Sequence, residues 1–281
     1  MKKRNLRHHT WMLSLILTVI GIIWLSPIIF SFFTSFKTAK ELKLFPKLLN
    51  IAPLEWSAVN YAFVWDNASI PVLRMIVNSL AVSLTQVVLV LFVASTSAYA
   101  YERLYFKGKE TLFWCLFALG ILPGIISLVP QYILYDSVGW TDTLWVLITP
   151  YIGNVFNIFL LRNFLHGVPY ELDEAARIDG ANDFVIYSRI LLPTIFPAMA
   201  VVALFTFAES WNDLMWPSLA VTSPDRLTIT AGIRLLNNAH GAHPERVLAA
   251  CMISIIPTIL VYLTARKYFL TGLTLSSGIK G

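Results

Sequence analysis

Two groups of residues carry the polar chemistry of this chain, and both are rich in carboxylates. The first lies in residues 166–183, where five of the 16 acidic residues stand: Glu171, Asp173, Glu174, Asp179 and Asp183. Ala175 and Ala176 favour a helix within this segment, and the pair Asp179-Gly180 is typical of a turn. The segment therefore predicts two short helices joined by a sharp bend, compact and charged.

The second group interrupts an otherwise apolar run. Glu209 and Asp213 stand there, and a carboxylate inside a membrane span is costly unless it faces protein or water. Phe205, Glu209, Asn212 and Trp216 follow at i, i+4, i+7 and i+11, which predicts one face of one helix. An aromatic ring beside acceptor and donor groups suits a hydroxyl-rich ligand. A polar network that only fixes helix packing would explain the same residues.

Composition indicates the elements that position these residues. Of the 281 residues, 57% are hydrophobic and 13% are charged, against about 25% charged in soluble domains. This excludes a disordered chain and argues against a soluble domain. Long stretches without charge, each near the ~20 residues that cross a bilayer, predict an all-α polytopic membrane protein. Its six helices are expected near 11–36, 71–100, 110–135, 143–166, 194–219 and 247–269.

Basic residues predict the orientation of these helices. With both termini inside, 13 of the 21 Lys and Arg residues fall on inner segments, as the positive-inside rule requires. Four lysines in the first outer loop go against the rule, and we interpret them as solvated or facing headgroups: Lys37, Lys40, Lys43 and Lys47.

Proline recurs within the predicted spans. Its missing N–H is tolerated in a membrane helix only where neighbours, hydroxyls or water satisfy the freed carbonyl. The positions are Pro27, Pro123, Pro130, Pro150, Pro197 and Pro257. They favour helices packed around a pathway, although kinked packing without a pathway would give the same pattern.

The acidic segment also resembles a known motif. Glu174-Ala175-Ala176, three residues, Gly180, nine residues and then Ile190-x-Leu192-Pro193 is similar to the EAA loop of ABC importer permeases, the inner membrane components of binding-protein-dependent transport systems. Asn78-Ser79-Leu80 resembles the start of the second helix in the same family. Ser210-Trp211-Asn212-Asp213 is similar to the fifth helix of its carbohydrate-uptake branch, within which the chain resembles the six-helix, maltose-type second permease subunit.

The resemblance implies roles for the matched residues. In this family the loop forms coupling helices that dock on a cytoplasmic ATPase, with its acid paired to basic groups and its small residues allowing close approach. The residues carried over to coupling are Glu174, Ala175, Ala176, Asp179, Gly180, Ile190, Leu192 and Pro193. The stripe Phe205, Glu209, Asn212 and Trp216 is placed on the substrate path.

The resemblance further implies a multi-pass subunit of a type I importer in a bacterial inner membrane, without enzymatic activity, cofactor or metal. Its expected partners are a second permease subunit, a cytoplasmic ABC ATPase dimer, an extracytoplasmic solute-binding protein, a sugar and membrane lipid, but no nucleic acid. Residues 1–70 would hold the N-terminal tail, first helix and outer loop. Residues 71–270 would form the core, with the coupling loop at 167–193, and 271–281 a cytoplasmic tail.

Other functions remain as alternatives. A permease for glycerol phosphate or another small solute would have the same loop, but a phosphate favours basic groups on the path, whereas this stripe is acidic or neutral. An ion-coupled secondary transporter would show internal repeats and more ionisable residues within its spans. The chain has no Gly-x-x-x-x-Gly-Lys-[Ser/Thr] phosphate loop, so ATP is expected to bind a separate protein.

Overall fold

A computed structural model describes residues 2–44, 50–238 and 243–278, with side chains in 11–44, 50–236 and 243–266. Every regular element within these residues is helical. The first eight helices are α1 (Lys2–Ser35), α2 (Ala39–Leu44), α3 (Val59–Asp66), α4 (Val72–Arg103), α5 (Lys109–Gly120), α6 (Leu128–Ser137), α7 (Leu144–Ile148) and α8 (Val155–His166). The others are α9 (Glu171–Ile178), α10 (Asp183–Val185), α11 (Leu192–Thr194), α12 (Phe196–Asn212), α13 (Met215–Ala220), α14 (Ile229–Asn238) and α15 (Pro244–Gly278).

Three helices are long and apolar enough to cross a membrane: Trp11–Ser35 of α1, Val72–Arg103 of α4, and Pro244–Arg266 of α15. The third, fourth and fifth predicted spans are bent pairs instead, so the described residues hold three clear spans and up to six if each pair counts as one. The pairs α5–α6, α7–α8 and α10–α12 bend by 88°, 44° and 75°.

Proline lies at two of these bends and also within one helix that does not break. Pro123 has an extended conformation and precedes a 3-10 turn, and Pro150 lies in a 3-10 turn between α7 and α8. Proline cannot donate the helical hydrogen bond. Pro27 nevertheless lies inside continuous α1, because the Ser26 hydroxyl donates to the Ile23 carbonyl (2.7 Å) that proline leaves free.

The predicted ends differ from the observed ones at three places. The fifth helix was expected over 194–219, but α12 ends at Asn212 and Asp213 is extended (ψ 118°). At the C-terminus α15 continues to Gly278, so residues 271–278 of the expected tail are helical and 279–281 lie outside the described residues. At the N-terminus α1 begins at Lys2.

The chain divides into two compact units. The first comprises Met1–Val72 and Ile233–Ile255, and the second Leu73–Gly232 and Ile256–Gly281. In the first unit the Asn60 amide donates to the carbonyls of Ser35 and Lys37, both at 2.8 Å. Lys37 is only 3% exposed, and its ammonium group donates to the Asn50 carbonyl. The interpretation of Lys37 as solvated is therefore wrong. Lys40 and Lys43 are exposed, and Lys47 lies outside the described residues.

In the second unit, α4 anchors the loop before α14. The Asn78 amide donates to the carbonyls of Asp225 (2.8 Å) and Leu227 (3.1 Å). The Ser79 hydroxyl accepts from the Ile229 N–H at 2.8 Å. The Asn78-Ser79 pair therefore holds a loop in place, since it satisfies backbone groups that have no helical partner.

Asp142 ties two further loops of the second unit together. Its carboxylate accepts hydrogen bonds from the backbone N–H groups of Thr222 (3.1 Å) and Ser223 (2.9 Å) and from the Ser223 hydroxyl (2.6 Å), and it pairs with Arg226 at 3.2 Å. Burial alone would raise the pKa of the Asp142 carboxyl, but the hydrogen bonds from Ser223 and Thr222 and the charge of Arg226 outweigh it and lower the pKa.

We expect Asp142→Asn to lower the free energy of unfolding by about 1 kcal/mol at pH 7. Asparagine tolerates the left-handed backbone of Asp142 (φ 56°), so the substitution removes mainly the charge. Because the folded-state pKa is lowered, the stabilisation is present above the ordinary carboxyl pKa of about 3.9 and is lost as pH falls through the folded-state value. Thermal unfolding at pH 7 and pH 3 tests this, and an equal difference at both pH values would contradict it.

Candidate functional site

The charged loop of residues 167–193 contains the predicted bend, and Gly180 makes it possible. The N–H of Gly180 donates to the Arg177 carbonyl (3.0 Å) and that of Ala181 to the Ala176 carbonyl (2.9 Å). These two bonds form a Schellman motif at the end of α9. Gly180 has φ +85° with open space around its α-carbon, so backbone conformation, not crowding, requires glycine. Asn182 then caps α10 by accepting from the Val185 N–H at 2.9 Å.

A buried ion pair attaches this loop to α4. Arg103 Nε lies 2.9 Å from Asp173 Oδ2, with side chains 1% and 9% exposed. The Arg103 guanidinium also donates to the Val168 carbonyl (2.7 Å) and lies over the Tyr170 ring, 3.9 Å from its centroid. One cation thus contacts three points of the loop and fixes its position against the end of α4.

Glu102, the neighbour of Arg103, is a second attachment point. Its carboxylate accepts from Arg162 Nε at 3.2 Å and lies 2.8 Å from His166 Nδ1. The Tyr170 hydroxyl donates to the Glu102 carbonyl at 2.9 Å. The end of α4, the end of α8 and the start of α9 therefore meet in one polar network, which residue spacing alone did not reveal.

The outer face of the loop combines exposed apolar and charged side chains. Ile178 is 87% exposed, Phe184 73% and Leu172 45%. The exposed charged residues around them are Glu171, Glu174, Arg177, Asp179 and Asp183. We call these eight residues the loop face. Exposed apolar groups rimmed by charge are typical of a protein interaction site.

The eight residues carried over to coupling differ in their exposure. Glu174, Ala175, Asp179, Gly180 and Pro193 are exposed, whereas Ile190 and Leu192 are half-buried. Ala176 is buried and packs in the core of the second unit. Its small side chain therefore packs within this chain and does not face outward.

A polar cavity of about 300 Å³ lies in the second unit, beside α12. Its nine lining residues are all polar: Gln86, Tyr151, Asn154, Asn157, Thr206, Glu209, Ser210, Asn212 and Asp213. They come from α4, α12 and the broken span α7–α8. Nine polar side chains converging within apolar spans are expensive in a bilayer, which marks the cavity as a candidate functional site.

The hydrogen bonds around the cavity show which groups are already used. Gln86 donates to the Leu147 carbonyl at 2.6 Å, and the Tyr151 hydroxyl donates to Asp213 Oδ2 at 3.1 Å. The Asn212 amide donates to the Ala208 carbonyl at 2.7 Å. Thr206 is 4% exposed, and its hydroxyl has no hydrogen-bond partner among the described residues.

The predicted stripe is only partly assembled. Glu209 and Asn212 line the cavity, but Phe205 does not belong to its lining. Trp216 lies beyond the break, on α13, where it is 1% exposed and its indole N–H donates to the Val146 carbonyl at 2.7 Å. The prediction of one continuous helix face is therefore wrong for Trp216, because Asp213 ends α12 one turn earlier.

About half of the residues that line the cavity were not predicted from the sequence. Gln86, Asn154 and Asn157 each interrupt a charge-free run, and such uncharged polar residues in a span are the signal that could have found them. Tyr151 is amphipathic and gives no such signal. Their convergence depends on the bend at Pro150, which brings the α7–α8 junction to α12.

Apolar spans, three of them formed by bent helix pairs, together with a cavity lined by polar residues, are typical of a membrane transport protein. Residues 99–273 match the family described as binding-protein-dependent transport system inner membrane component. The chain belongs to this family, which confirms the resemblance to ABC importer permeases.

Individual relatives cover most of the chain. The arabinooligosaccharides transport system permease protein AraQ of Bacillus subtilis is 29% identical over 96% of this chain and 95% of its own length. The galactooligosaccharides transport system permease protein GanQ of the same organism is 31% identical over 76% of each chain. In fold, the chain is similar to a chain of a bacterial ABC transporter involved in the import of the acidic polysaccharide alginate, with a TM-score of 0.78, 23% identity and coverage of 94% and 97%.

We expect Asp173→Asn to destabilise the protein by about 3 kcal/mol, because it leaves the buried Arg103 guanidinium without its counter-charge. Glu171→Gln, an exposed change on the same helix, is the matched control and is expected to shift stability by less than about 0.5 kcal/mol. Thermal unfolding and limited proteolysis within residues 167–193 measure both variants. Equal stability and equal cleavage in the two would show that the ion pair does not hold the loop.

Proposed function

We propose that this chain is one permease subunit of an ATP-driven importer and forms half of the translocation pathway for an oligosaccharide. The observation that carries the proposal is the all-polar cavity within the apolar spans of a chain of this family. A permease needs a polar route through the bilayer, whereas a merely structural network would pair its polar groups with one another and leave no cavity.

The chemistry of the cavity supports a saccharide as the solute. Hydroxyl, amide and carboxylate groups line it, and these are the groups that hydrogen-bond sugar hydroxyls. Two relatives are named for the transport of arabino- and galactooligosaccharides. Neither Lys nor Arg appears among the lining residues that the structure describes, which disfavours glycerol phosphate.

The distribution of basic residues supports an orientation with both termini in the cytoplasm and six crossings, each bent pair counting as one. In that orientation the loop face lies in the cytoplasm of a bacterial cell and the cavity lies in the outer half of the membrane. A solute released outside by a binding protein would therefore meet the cavity first. The divisions at 1–70, 71–270 and 271–281 belong to the same proposal.

The loop face is proposed to dock on a cytoplasmic ABC ATPase dimer. Ile178 and Phe184 are the apolar anchors, and Glu174 and Asp179 offer charges to basic groups of the ATPase. Arg103 and Glu102 hold the loop against the ends of α4 and α8. A movement of the ATPase would therefore displace these two helices together with the loop. A second permease subunit supplies the other half of the pathway.

Truncation of the two anchors tests the coupling. We expect Ile178→Ser with Phe184→Ser to weaken binding of the ATPase by tenfold or more, because exposed apolar anchors at the centre of an interface carry most of its binding energy. Glu174→Lys and Gly180→Asp are expected to do the same through charge and backbone strain. The measurement is the amount of ATPase that co-purifies with the tagged chain, identified by mass spectrometry.

Tyr105→Ser is the matched control for this experiment, since Tyr105 is 92% exposed but lies outside the loop face. Unchanged co-purification together with unchanged uptake in all three loop variants, the double variant and the two single ones, would refute the coupling assignment.

Uptake by cavity variants tests the pathway. Thr206→Val removes a hydroxyl, and Glu209→Gln exchanges one carboxylate acceptor for an NH2 donor. Both keep the side-chain volume nearly constant, and we expect each to slow saccharide uptake about tenfold, the effect of one lost hydrogen bond. Thr96→Val is the control, because the Thr96 hydroxyl contacts only carbonyls of its own helix. Uptake is measured at matched membrane levels with labelled arabino- and galactooligosaccharides. Wild-type rates in both cavity variants would place the pathway elsewhere.

A further inference from the structure

We propose that the polar cavity discriminates by charge: the Glu209 carboxylate admits uncharged saccharides and excludes uronates and sugar phosphates. This inference rests on the proposed pathway and names its substrate class. Glu209 is then a specificity-determining residue of this subunit.

The charges around the cavity have one sign. Glu209 and Asp213 line it, and its described lining includes no Lys or Arg. Asp213 is already engaged, because its carboxylate accepts from the Tyr151 hydroxyl (3.1 Å) and from the Trp216 N–H (3.2 Å). Among the described residues, no group donates a hydrogen bond to Glu209, and its side chain is exposed. Its carboxylate is therefore the group available to an incoming solute.

An independent feature indicates that the cavity receives a ligand with hydroxyl groups. The Thr206 hydroxyl is buried, lines the cavity and has no partner among the described residues. A buried hydroxyl without a partner is unfavourable, and Thr206 lies one turn from Glu209 on α12, so both face the same space. The hydroxyl can donate and accept, whereas the carboxylate only accepts. A sugar hydroxyl satisfies both, since it can accept from Thr206 while its neighbour donates to Glu209.

An anionic solute meets repulsion at the same position. The ionised carboxylate of a uronate or the phosphate group of a sugar phosphate has no proton to donate to Glu209, and it would bring like charge into a space with low-dielectric walls, where such interactions are strong. Clefts of one sign change the local concentration of charged solutes by tenfold or more. Discrimination through an unfavourable contact with the wrong solute is a common source of specificity.

Charged thiol reagents measure this potential directly. Asn212→Cys places a reporter in the cavity, in a chain whose Cys115 and Cys251 are replaced by serine, and Ser210→Cys is a near-isosteric second reporter. The importer complex that co-purifies with the chain is placed in nanodiscs. It is then treated with methanethiosulfonate reagents carrying trimethylammonium or sulfonate. The ratio of the two rates is divided by the ratio measured for 2-mercaptoethanol in solution.

We expect the cationic reagent to react about tenfold faster at the reporter, and Glu209→Gln to bring the ratio close to one. Asp225→Asn, at an exposed carboxylate outside the cavity lining, is expected to leave the ratio unchanged. A ratio near one with Glu209 present, or a ratio that Glu209→Gln does not alter, would contradict the proposed discrimination by charge. Neither result would contradict the proposed pathway. If neither reagent modifies either reporter, water does not reach the cavity, and the proposed pathway fails together with the discrimination by charge.

Discussion

The buried ion pair between Arg103 and Asp173 holds together the parts of the second unit that need to act as one. Arg103 is the last residue of α4 and Asp173 lies in the first turn of α9, so the pair joins a membrane span to the charged loop. A buried guanidinium without its carboxylate would be strongly destabilising, which leaves the loop few alternative positions. Glu102 extends the same junction to α8 through Arg162 and His166.

In the rest of the second unit, the bilayer limits where a helix can break. Backbone polar groups in hydrocarbon must be satisfied internally, so each bend in a span needs protein or a cavity around it. The bends at Pro123 and Pro150 and the end of α12 at Asp213 expose such groups, and the polar cavity lies beside the last two. The breaks that weaken single helices thus create the space in which a polar solute is proposed to move.

One run of chain connects the loop with the cavity. From α10 the chain passes through a π-helical turn, Ile186–Leu191, into α11 and then α12. Tyr187 in that turn contacts Ser95 of α4, with hydroxyl oxygens 2.8 Å apart, and Ile186 and Leu191 are fully buried. This packed run of chain is the route by which the proposed coupling would reach Thr206 and Glu209 from the loop face. A π-helical turn at such a junction fits a functional role, where these irregular turns are often found.

Much of this organisation could be predicted from local sequence. Six apolar stretches predicted spans, because a helix must be about 20 residues long and apolar to cross a bilayer. Asp179-Gly180 predicted the bend of the loop, because a left-handed residue at a helix end favours glycine. Breaks at Pro123 and Pro150 followed from proline's missing donor, whereas the continuity of α1 at Pro27 depended on the neighbouring Ser26 hydroxyl.

What tertiary structure decided is which distant residues meet. Glu102 and Arg103 at the end of α4 are far in sequence from Arg162, His166 and Asp173, so only helix packing could bring the two groups of charges into one network. Periodicity placed Trp216 with Glu209, but periodicity holds only while the helix continues, and the break at Asp213 turns Trp216 into the protein interior. The sequence by itself determined that the chain is a membrane protein, because each span must be long and apolar enough to cross the bilayer, whatever the other segments do. The cavity and its single sign of charge depend on contacts between segments, and those only the folded chain supplies.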